Sequence, residues 1–147
     1  MSSSHLNIAQ LLKHPFEVLV TRLHDELAQS GFPDVRLAHG CVFQYTEPDG
    51  TRLTDIARRA GLAKPTVLVA VDDLERLGYV ERVPDARDRR AKLVRLTPRG
   101  ARVASAAARI FTEIEADWAA ELGPRRARSL REALETLHDV VWPAATS

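Results

Sequence analysis

The stretch Arg82-Val-Pro-Asp-Ala-Arg-Asp-Arg-Arg-Ala-Lys-Leu-Val-Arg-Leu-Thr97 combines two strand-like ends with a basic centre. Residues 79–83 and 92–97 are rich in valine, leucine and other strand formers, which predicts two short β-strands. The centre crowds three arginines into four positions and mixes them with two acids: Arg87, Arg89, Arg90, Asp85 and Asp88. We therefore predict a β-hairpin whose tip is strongly basic.

The residues before the hairpin predict two helices joined by a tight turn. Thr51 is the expected N-cap of the first helix, which ends near Gly61. Pro65 begins the second helix, where its missing N–H costs nothing, and Gly78 stops it. A helix pair followed by a basic hairpin is the layout of a winged helix, a shape that sits on duplex DNA. The apolar residues expected to face inward are Leu53, Ile56, Ala57, Val67, Ala70, Val71, Leu74 and Leu77.

Helical periodicity continues on both sides of this central unit. Residues 6–30 predict an amphipathic helix in which Pro15 marks a kink or a late start, and residues 35–46 predict a second helix. Beyond Thr97 a long helix is expected as far as Gly123, followed by a last helix. The apolar positions recur every three or four residues at Leu12, Phe16, Leu19, Leu23 and Leu27, at Ala38, Val42 and Tyr45, at Val103, Ala107, Phe111, Ile114 and Trp118, and at Leu130, Leu134, Leu137 and Val141.

These elements predict a mainly α fold with a small β-hairpin wing, organised as one domain over residues 1–147. Residues 51–97 form the winged-helix DNA-binding region, and residues 5–46 and 98–143 form a helical dimerisation region. In a chain this short, the flanking helices have little else on which to bury their apolar faces. We therefore predict a symmetric homodimer.

Charge is distributed unevenly, although the formal net charge is only +1. From Glu81 to Arg102 there are eight basic residues against three acidic ones, so the rest of the chain is acidic overall. A basic module on a mildly acidic body is typical of a DNA-binding protein. The alternative interpretation is a solvated surface ribbon, which would not need three arginines at a turn.

Other sequence features limit the class of protein. The chain has a single cysteine, no apolar run of about 18 residues and no signal-peptide pattern at its N-terminus, which predicts a cytoplasmic protein without a membrane partner. It has neither a Gly-rich phosphate loop nor a Gly-x-Ser-x-Gly motif. We expect neither enzymatic activity nor a cofactor.

Four segments follow one another in an order that resembles a known family. They are Leu53-Thr-Asp-Ile-Ala-Arg-Arg-Ala-Gly-Leu62, Lys64-Pro-Thr-Val67, Asp72-Asp-Leu-Glu-Arg-Leu-Gly-Tyr-Val-Glu-Arg82 and Asp88-Arg-Arg-Ala-Lys-Leu-Val-Arg-Leu-Thr-Pro-Arg-Gly100. The succession is similar to the MarR family of winged-helix transcription regulators, most specifically over residues 51–104. The resemblance implies an obligate dimer held by its terminal helices, a pseudo-palindromic DNA operator, and repression relieved by a small ligand or an oxidant.

The second helix of the pair is the expected reader of the major groove. Lys64, Pro65 and Thr66 open it, so Lys64 adds charge near the DNA backbone and Thr66 can donate to a phosphate or a base edge. Leu68 and Val69 are the next exposed positions, where many relatives carry polar residues. They can contact thymine methyl groups, although one of them could instead pack internally. Sequence selectivity is then expected to depend partly on the wing and on DNA shape.

The wing arginines are expected to have different roles. Arg87 or Arg89 is the candidate for insertion into a narrow minor groove, where the negative potential attracts a guanidinium group. Asp88 and Arg90 match a paired Asp-x-Arg of the family, which implies an ion pair that shapes the wing, with phosphate binding by Arg90 second. Arg52 and Arg76 are candidate phosphate contacts or plain surface charges.

A sensing site is less well defined by the sequence. Phe16, Arg36, His39 and Phe43 are candidates to line a small-molecule pocket, and an arginine and a histidine near apolar walls suit an aromatic acid or a phenolic anion. The alternative is that Phe16 and Phe43 are core residues. An aromatic acid or a phenolic anion is therefore the expected class of effector.

Three other hypotheses remain open at this point. Cys41 could make the protein a redox-responsive regulator, although its apolar neighbours favour an inert buried thiol. A zinc site could be assembled from His39, Cys41, His138 and Asp139, but no two ligands show metal-like spacing, so we expect none. The apolar reading helix also allows a nonspecific architectural DNA-binding protein, or a protein-interaction domain with a vestigial winged helix.

Overall fold

The computed structural model describes residues 5–142 and confirms the predicted fold class. Helices α1 (Ile8–Gln29), α2 (Gly40–Tyr45), α3 (Leu53–Ala60) and α4 (Lys64–Arg76) precede an antiparallel hairpin of β1 (Val80–Asp85) and β2 (Asp88–Leu96). Helices α5 (Pro98–Leu122) and α6 (Pro124–Val141) complete the described chain, and a 3-10 turn, Leu37–His39, precedes α2. Within these residues, no helix is both long enough and apolar enough to cross a bilayer.

Local hydrogen bonds explain where several helices start and stop. The Asn7 side chain accepts from the backbone N–H of Gln10, whose own side chain accepts from Asn7, so α1 begins with a capping box. Thr97 Oγ1 accepts from Gly100 N–H and caps the start of α5. Gly78 follows α4 with φ +84°, a conformation that favours glycine and that turns the chain into β1.

Several predicted boundaries were wrong, and each has a local cause. The helix expected over 35–46 is a 3-10 turn followed by the short α2. Thr51 does not cap α3, because its hydroxyl accepts from Glu47 N–H at 2.8 Å and its backbone pairs with Val94. Pro15 neither delays nor ends α1, which runs through it. The second strand begins at Asp88 rather than at residue 92.

The core lies between the winged-helix elements and the middle of α5. Helix α4 turns one face into this core, and Tyr79, at the start of the hairpin, is fully buried. Tyr79 packs edge to face against Phe32 and Phe43, and its hydroxyl donates to Asp34. Among the largest fully buried side chains are Leu27, Ile56, Val67, Val71, Leu74, Val103, Ile110 and Ile114.

A close backbone contact joins α5 to the hairpin. A Cβ at Gly100 would lie 1.9 Å from the carbonyl oxygen of Tyr79, so only glycine fits there. The Arg99 guanidinium lies 4.5 Å from the centre of the Tyr79 ring and donates to its hydroxyl at 3.0 Å. The start of α5 is therefore fixed against the start of β1.

The outer helices leave much apolar surface uncovered. No residue of α6 is buried within the described chain, and its Leu130, Leu134 and Leu137 are each between 44% and 47% exposed. On α1, Leu12 and Phe16 are 49% and 57% exposed, while Leu19 and Leu23 pack against the core. The two ends of the described chain therefore present apolar faces that its own elements do not cover.

Candidate nucleic-acid interface

The hairpin tip is built by a bulge next to two turn-forming acids. Val80 to Pro84 pair in register with Leu96 to Lys92, and the register shifts between Pro84 and Asp85, so that Asp85 lies opposite Asp88. Asp85 Oδ1 accepts from Arg87 N–H at 2.9 Å, and Asp88 Oδ1 accepts from Arg90 N–H at 3.0 Å. Both acids therefore shape the backbone of the tip.

The ion pair that anchors the wing differs from the one expected. Arg52 donates to Asp85 Oδ2 through Nε at 3.1 Å and through Nη2 at 2.9 Å. The Arg87 N–H and the Arg52 guanidinium together lower the pKa of the buried Asp85 carboxyl below its ordinary value. Asp88 and Arg90 form no side-chain ion pair, and Asp88 Oδ1 accepts from the Arg90 backbone N–H instead. Arg52 therefore anchors the wing through Asp85, with its side chain still partly exposed.

The remaining arginines of the tip point their charge outward. Arg87, Arg89 and Arg90 are all exposed. Within residues 5–142, none of these three side chains forms an ion pair, whereas Arg52 holds the neighbouring Asp85. Since a guanidinium group carries five N–H donors in a planar fork, the tip presents a dense set of donors suited to phosphate or base edges.

Helix α4 presents an outward face on the same winged-helix unit as this tip. Lys64, Pro65 and Thr66 are exposed at its start. Leu68 is 43% exposed and Val69 is 62% exposed, so neither packs fully inside. The opposite face consists of the buried residues Val67, Ala70, Val71 and Leu74. The structure therefore brings the predicted reading helix and the predicted wing together on one module.

An unpredicted residue fastens the wing to this helix. Arg82 of β1 donates to Asp72 at 2.7 Å and to Glu75 at 2.6 Å, both on α4. These two carboxylates, Asp72 first, raise the pKa of Arg82 above its ordinary value. The sequence does carry a signal for this contact. It consists of two acids three residues apart on a helix, followed by an arginine on the next strand. Arg76 is exposed but bonded to Asp73 at 2.9 Å.

The candidate sensor residues lie in different surroundings. Phe16 is exposed on α1, Arg36 is exposed before the 3-10 turn, and Phe43 packs on Tyr79. His39 is only 2% exposed, and its Nδ1 accepts from Arg36 N–H at 3.0 Å. A groove of about 790 Å³ lies instead between α1, α5 and α6, and none of these four residues lines it.

Cys41 has the environment of an inert thiol. It is half-buried, and its Sγ lies 3.7 Å from the carbonyl oxygen of Ala38. Burial raises the pKa of the Cys41 thiol, whereas an oxidant sensor needs a lowered one. No group of three His, Cys, Asp or Glu side chains suited to a metal ion occurs in the part of the chain that is described.

Comparison with known proteins agrees with this geometry. The model of the MarR family matches residues 43–91, which run from α2 through α3, α4 and β1 into β2. Residues 43–91, the MarR-family segment, are therefore similar to that family. This segment contains α4 and the whole basic tip, the two parts of the candidate interface. A search of curated protein sequences found no match.

Solved structures extend the likeness of fold beyond the MarR-family segment. MepR of S. aureus, solved as a DNA complex, is 24% identical with a TM-score of 0.75, over 92% of this chain and 99% of its own. FabT of Streptococcus pneumoniae, also in complex with DNA, is 19% identical with a TM-score of 0.78, over 91% and 94%. CouR of Rhodococcus jostii RHA1, bound to p-coumaroyl-CoA, is 22% identical with a TM-score of 0.70, over 89% and 91%. The flanking helices therefore belong to the same fold.

Proposed function

We propose that this protein is a dimeric, sequence-specific DNA-binding transcription regulator of the cytoplasm, a repressor released by a small ligand. The observation that carries the proposal is the exposed cationic tip of Arg87, Arg89 and Arg90, on a hairpin that Arg82 fastens to α4. A MarR-family segment makes up this module. Structures of the same fold from S. aureus and Streptococcus pneumoniae are DNA complexes, which supports the same type of ligand here.

Each part of the module has a separate role in this proposal. Helix α4 enters the major groove, with Lys64 and Thr66 near the phosphates at its start. Arg87 or Arg89 enters the minor groove beside it, and Arg90 binds the backbone. Arg52 supports the tip through Asp85, and Arg76 reaches the DNA backbone only if it leaves Asp73.

The dimer rests on the uncovered apolar faces of α1 and α6. Leu130 and Leu134 line the groove between α1, α5 and α6 while remaining about half exposed. Soluble proteins rarely leave such large contiguous apolar surface open to water. A second copy of the chain would cover these faces and would place two reading modules on one operator.

The proposed effector is a small organic molecule. A relative of the same fold was solved with p-coumaroyl-CoA, which supports a small organic ligand for this chain. We propose Phe16, Arg36, His39 and Phe43 as contributors to an aromatic acid site. An aromatic carboxylate should raise the melting temperature and weaken operator binding, and a compound series that does neither would contradict this part of the proposal.

DNA binding is tested by removing the two proposed minor-groove arginines. Fluorescence anisotropy on a duplex from the gene's own upstream region should show at least tenfold weaker binding for Arg87→Ala/Arg89→Ala. The slope of log affinity against log salt should also become shallower, by about one for each phosphate interaction lost. The matched control is Arg125→Ala/Arg126→Ala, which removes two exposed arginines from α6 and should leave affinity nearly unchanged.

The same titration separates the competing functions. Equal affinity for the upstream duplex and for random DNA would replace the proposal with a nonspecific architectural role. Unchanged affinity in the hairpin variant would contradict DNA reading by the wing and favour a protein-interaction domain. Operator release by peroxide that disappears in Cys41→Ser would support the redox alternative against a ligand-released repressor.

A further inference from the structure

The first two turns of α4 carry apolar side chains at the centre of their outward side, where a DNA-reading helix usually presents polar groups. At 3.6 residues per turn, Pro65, Val69, Asp72 and Arg76 succeed one another on the side opposite the buried face. Val69 lies in the middle of the first two turns, with 62% of its surface exposed. The side chain at the centre of the first two turns on this side is therefore a branched hydrocarbon.

The polar side chains of this face are already engaged. Asp72 accepts from Arg82 at 2.7 Å, and Arg76 donates to Asp73 at 2.9 Å. These bonds hold the later part of the face in internal ion pairs. The early part of the face, where Pro65 and Val69 lie, retains no hydrogen-bonding side chain at its centre.

Helix stability does not explain an exposed valine at position 69. A β-branched side chain loses rotamer freedom in a helix and is a poorer helix former than alanine, lysine or glutamate. Val67 and Val71 are fully buried and contribute to the core, but Val69 makes no comparable contact. The Val69 side chain is therefore available to an external apolar partner.

The major groove of duplex DNA offers one apolar group at the base edges, the 5-methyl of thymine. We propose that Val69 contacts the 5-methyl group of a thymine in each operator half-site, which makes it a specificity-determining residue. The inference rests on the proposed function, since it requires α4 to lie in the major groove. The basic tip on the same module supplies the charge complementarity for the adjacent phosphates.

The test removes single methyl groups from the DNA. The full chain first selects its preferred duplex from a random pool, and affinities are then measured with deoxyuridine replacing thymidine at one position at a time. The wild type should lose about fourfold in affinity for each contacted methyl group, as burial of one methyl group implies. Val69→Ala should bind the thymine duplex more weakly than the wild type. It should lose less than about 1.5-fold in affinity on the same replacement, because the alanine side chain is too short to contact the thymine methyl group.

Two control variants show whether the response to methyl removal is specific to Val69. Val18→Ala removes the same atoms from a valine that is also 62% exposed, on α1, and should retain the full response to methyl removal. Arg89→Ala should weaken binding to both duplexes in parallel. Alanine is the better helix former, so Val69→Ala is expected to fold, and its melting temperature confirms this.

The outcomes separate this inference from the function on which it rests. Selected half-sites without thymine, or a Val69→Ala variant as sensitive to methyl removal as the wild type, would overturn the Val69 contact while leaving sequence-specific DNA binding intact. Failure of the full chain to select or bind any duplex would overturn the proposed function, and the Val69 contact with it.

Discussion

His39 is a buried histidine that connects the segment after α1 with α4. Its Nδ1 accepts from Arg36 N–H, and its Nε2 lies 3.6 Å from Asp73 Oδ2. Burial is the main cause that lowers the pKa of His39 below its ordinary value, while the Asp73 carboxylate opposes this shift. The neutral ring is therefore the form that the fold accommodates.

The lowered pKa of His39 predicts a loss of stability in mild acid. The unfolded chain binds a proton near pH 6.5, whereas the folded chain binds it only at lower pH, so folding is penalised as the pH falls below about 6.5. The free energy of unfolding therefore does not depend on His39 above about pH 6.5. Below that pH it falls, by at most about 1.4 kcal/mol per pH unit. Urea denaturation between pH 7.5 and 5 measures it. His39→Gln should flatten the dependence, and an identical slope in the variant would show that His39 is not its source.

Val69 and Cys41 are both small apolar residues, but they differ in exposure. The exposed valine faces outward from a helix whose other valines are core, while the half-buried thiol is shielded from solvent and has a raised pKa. Helical periodicity predicted the exposure of Val69, but it predicted a buried Cys41, which is half-buried in the structure. The same periodicity could not predict the partners of Tyr79, which come from Asp34 and Arg99, far away in sequence.

The wing is an element whose shape depends on a contact across 33 positions of sequence, from Arg52 to Asp85. The basic tip and the two strands were predictable, because alternating apolar residues and turn acids are local features. The Arg52 pair was not, since it depends on the tertiary fold placing α3 beside the tip. The resemblance instead suggested Asp88 and Arg90, which are close in sequence but joined only through a backbone N–H.

Loss of the Arg52 anchor should loosen the tip more than it destabilises the protein. Arg52→Ala removes the charge partner of Asp85, so amide exchange at Arg87 and Asp88 should accelerate while the core amides stay protected. DNA affinity should fall roughly three- to tenfold because the tip is less well organised before binding. Hydrogen exchange and anisotropy measure the two effects.

The comparison variant for this element is Asp88→Asn, whose amide oxygen can still accept from Arg90 N–H. It should retain slow exchange and near wild-type affinity. Equal acceleration of exchange in both variants would contradict the assignment of Arg52–Asp85 as the ion pair that holds the tip.

At the scale of the whole molecule, the described chain has a well-buried centre and apolar ends. The central core comes from α4, β1 and α5, whereas α6 buries none of its side chains. Sequence periodicity predicted which residues of α6 are apolar, but not the extent to which they stay uncovered. That extent depends on how α6 leaves α5 at Gly123, which has φ +83°.

A charge placed on α6 should separate the proposed dimer. Leu134→Glu puts a carboxylate on the apolar face that a second copy would cover, where an unpaired charge is costly. Light scattering should give about twice 16.3 kDa for the wild type and about 16.3 kDa for the variant at micromolar concentration. Gln44→Glu adds the same charge at an exposed position on α2 and should remain dimeric. A monomeric wild type would contradict the dimer outright.

Because Gly100 lies in close contact with the Tyr79 backbone, a tilt of α5 moves the hairpin with it. The helix has 25 residues and is therefore about 37 Å long, with the hairpin clamped at one end and α6 attached at the other. A tilt of about 5° at the α6 end displaces the hairpin end by about 3 Å relative to it. In the proposed dimer, two reading modules must match grooves about 34 Å apart, so a small rotation between the copies is enough to lose the register with DNA.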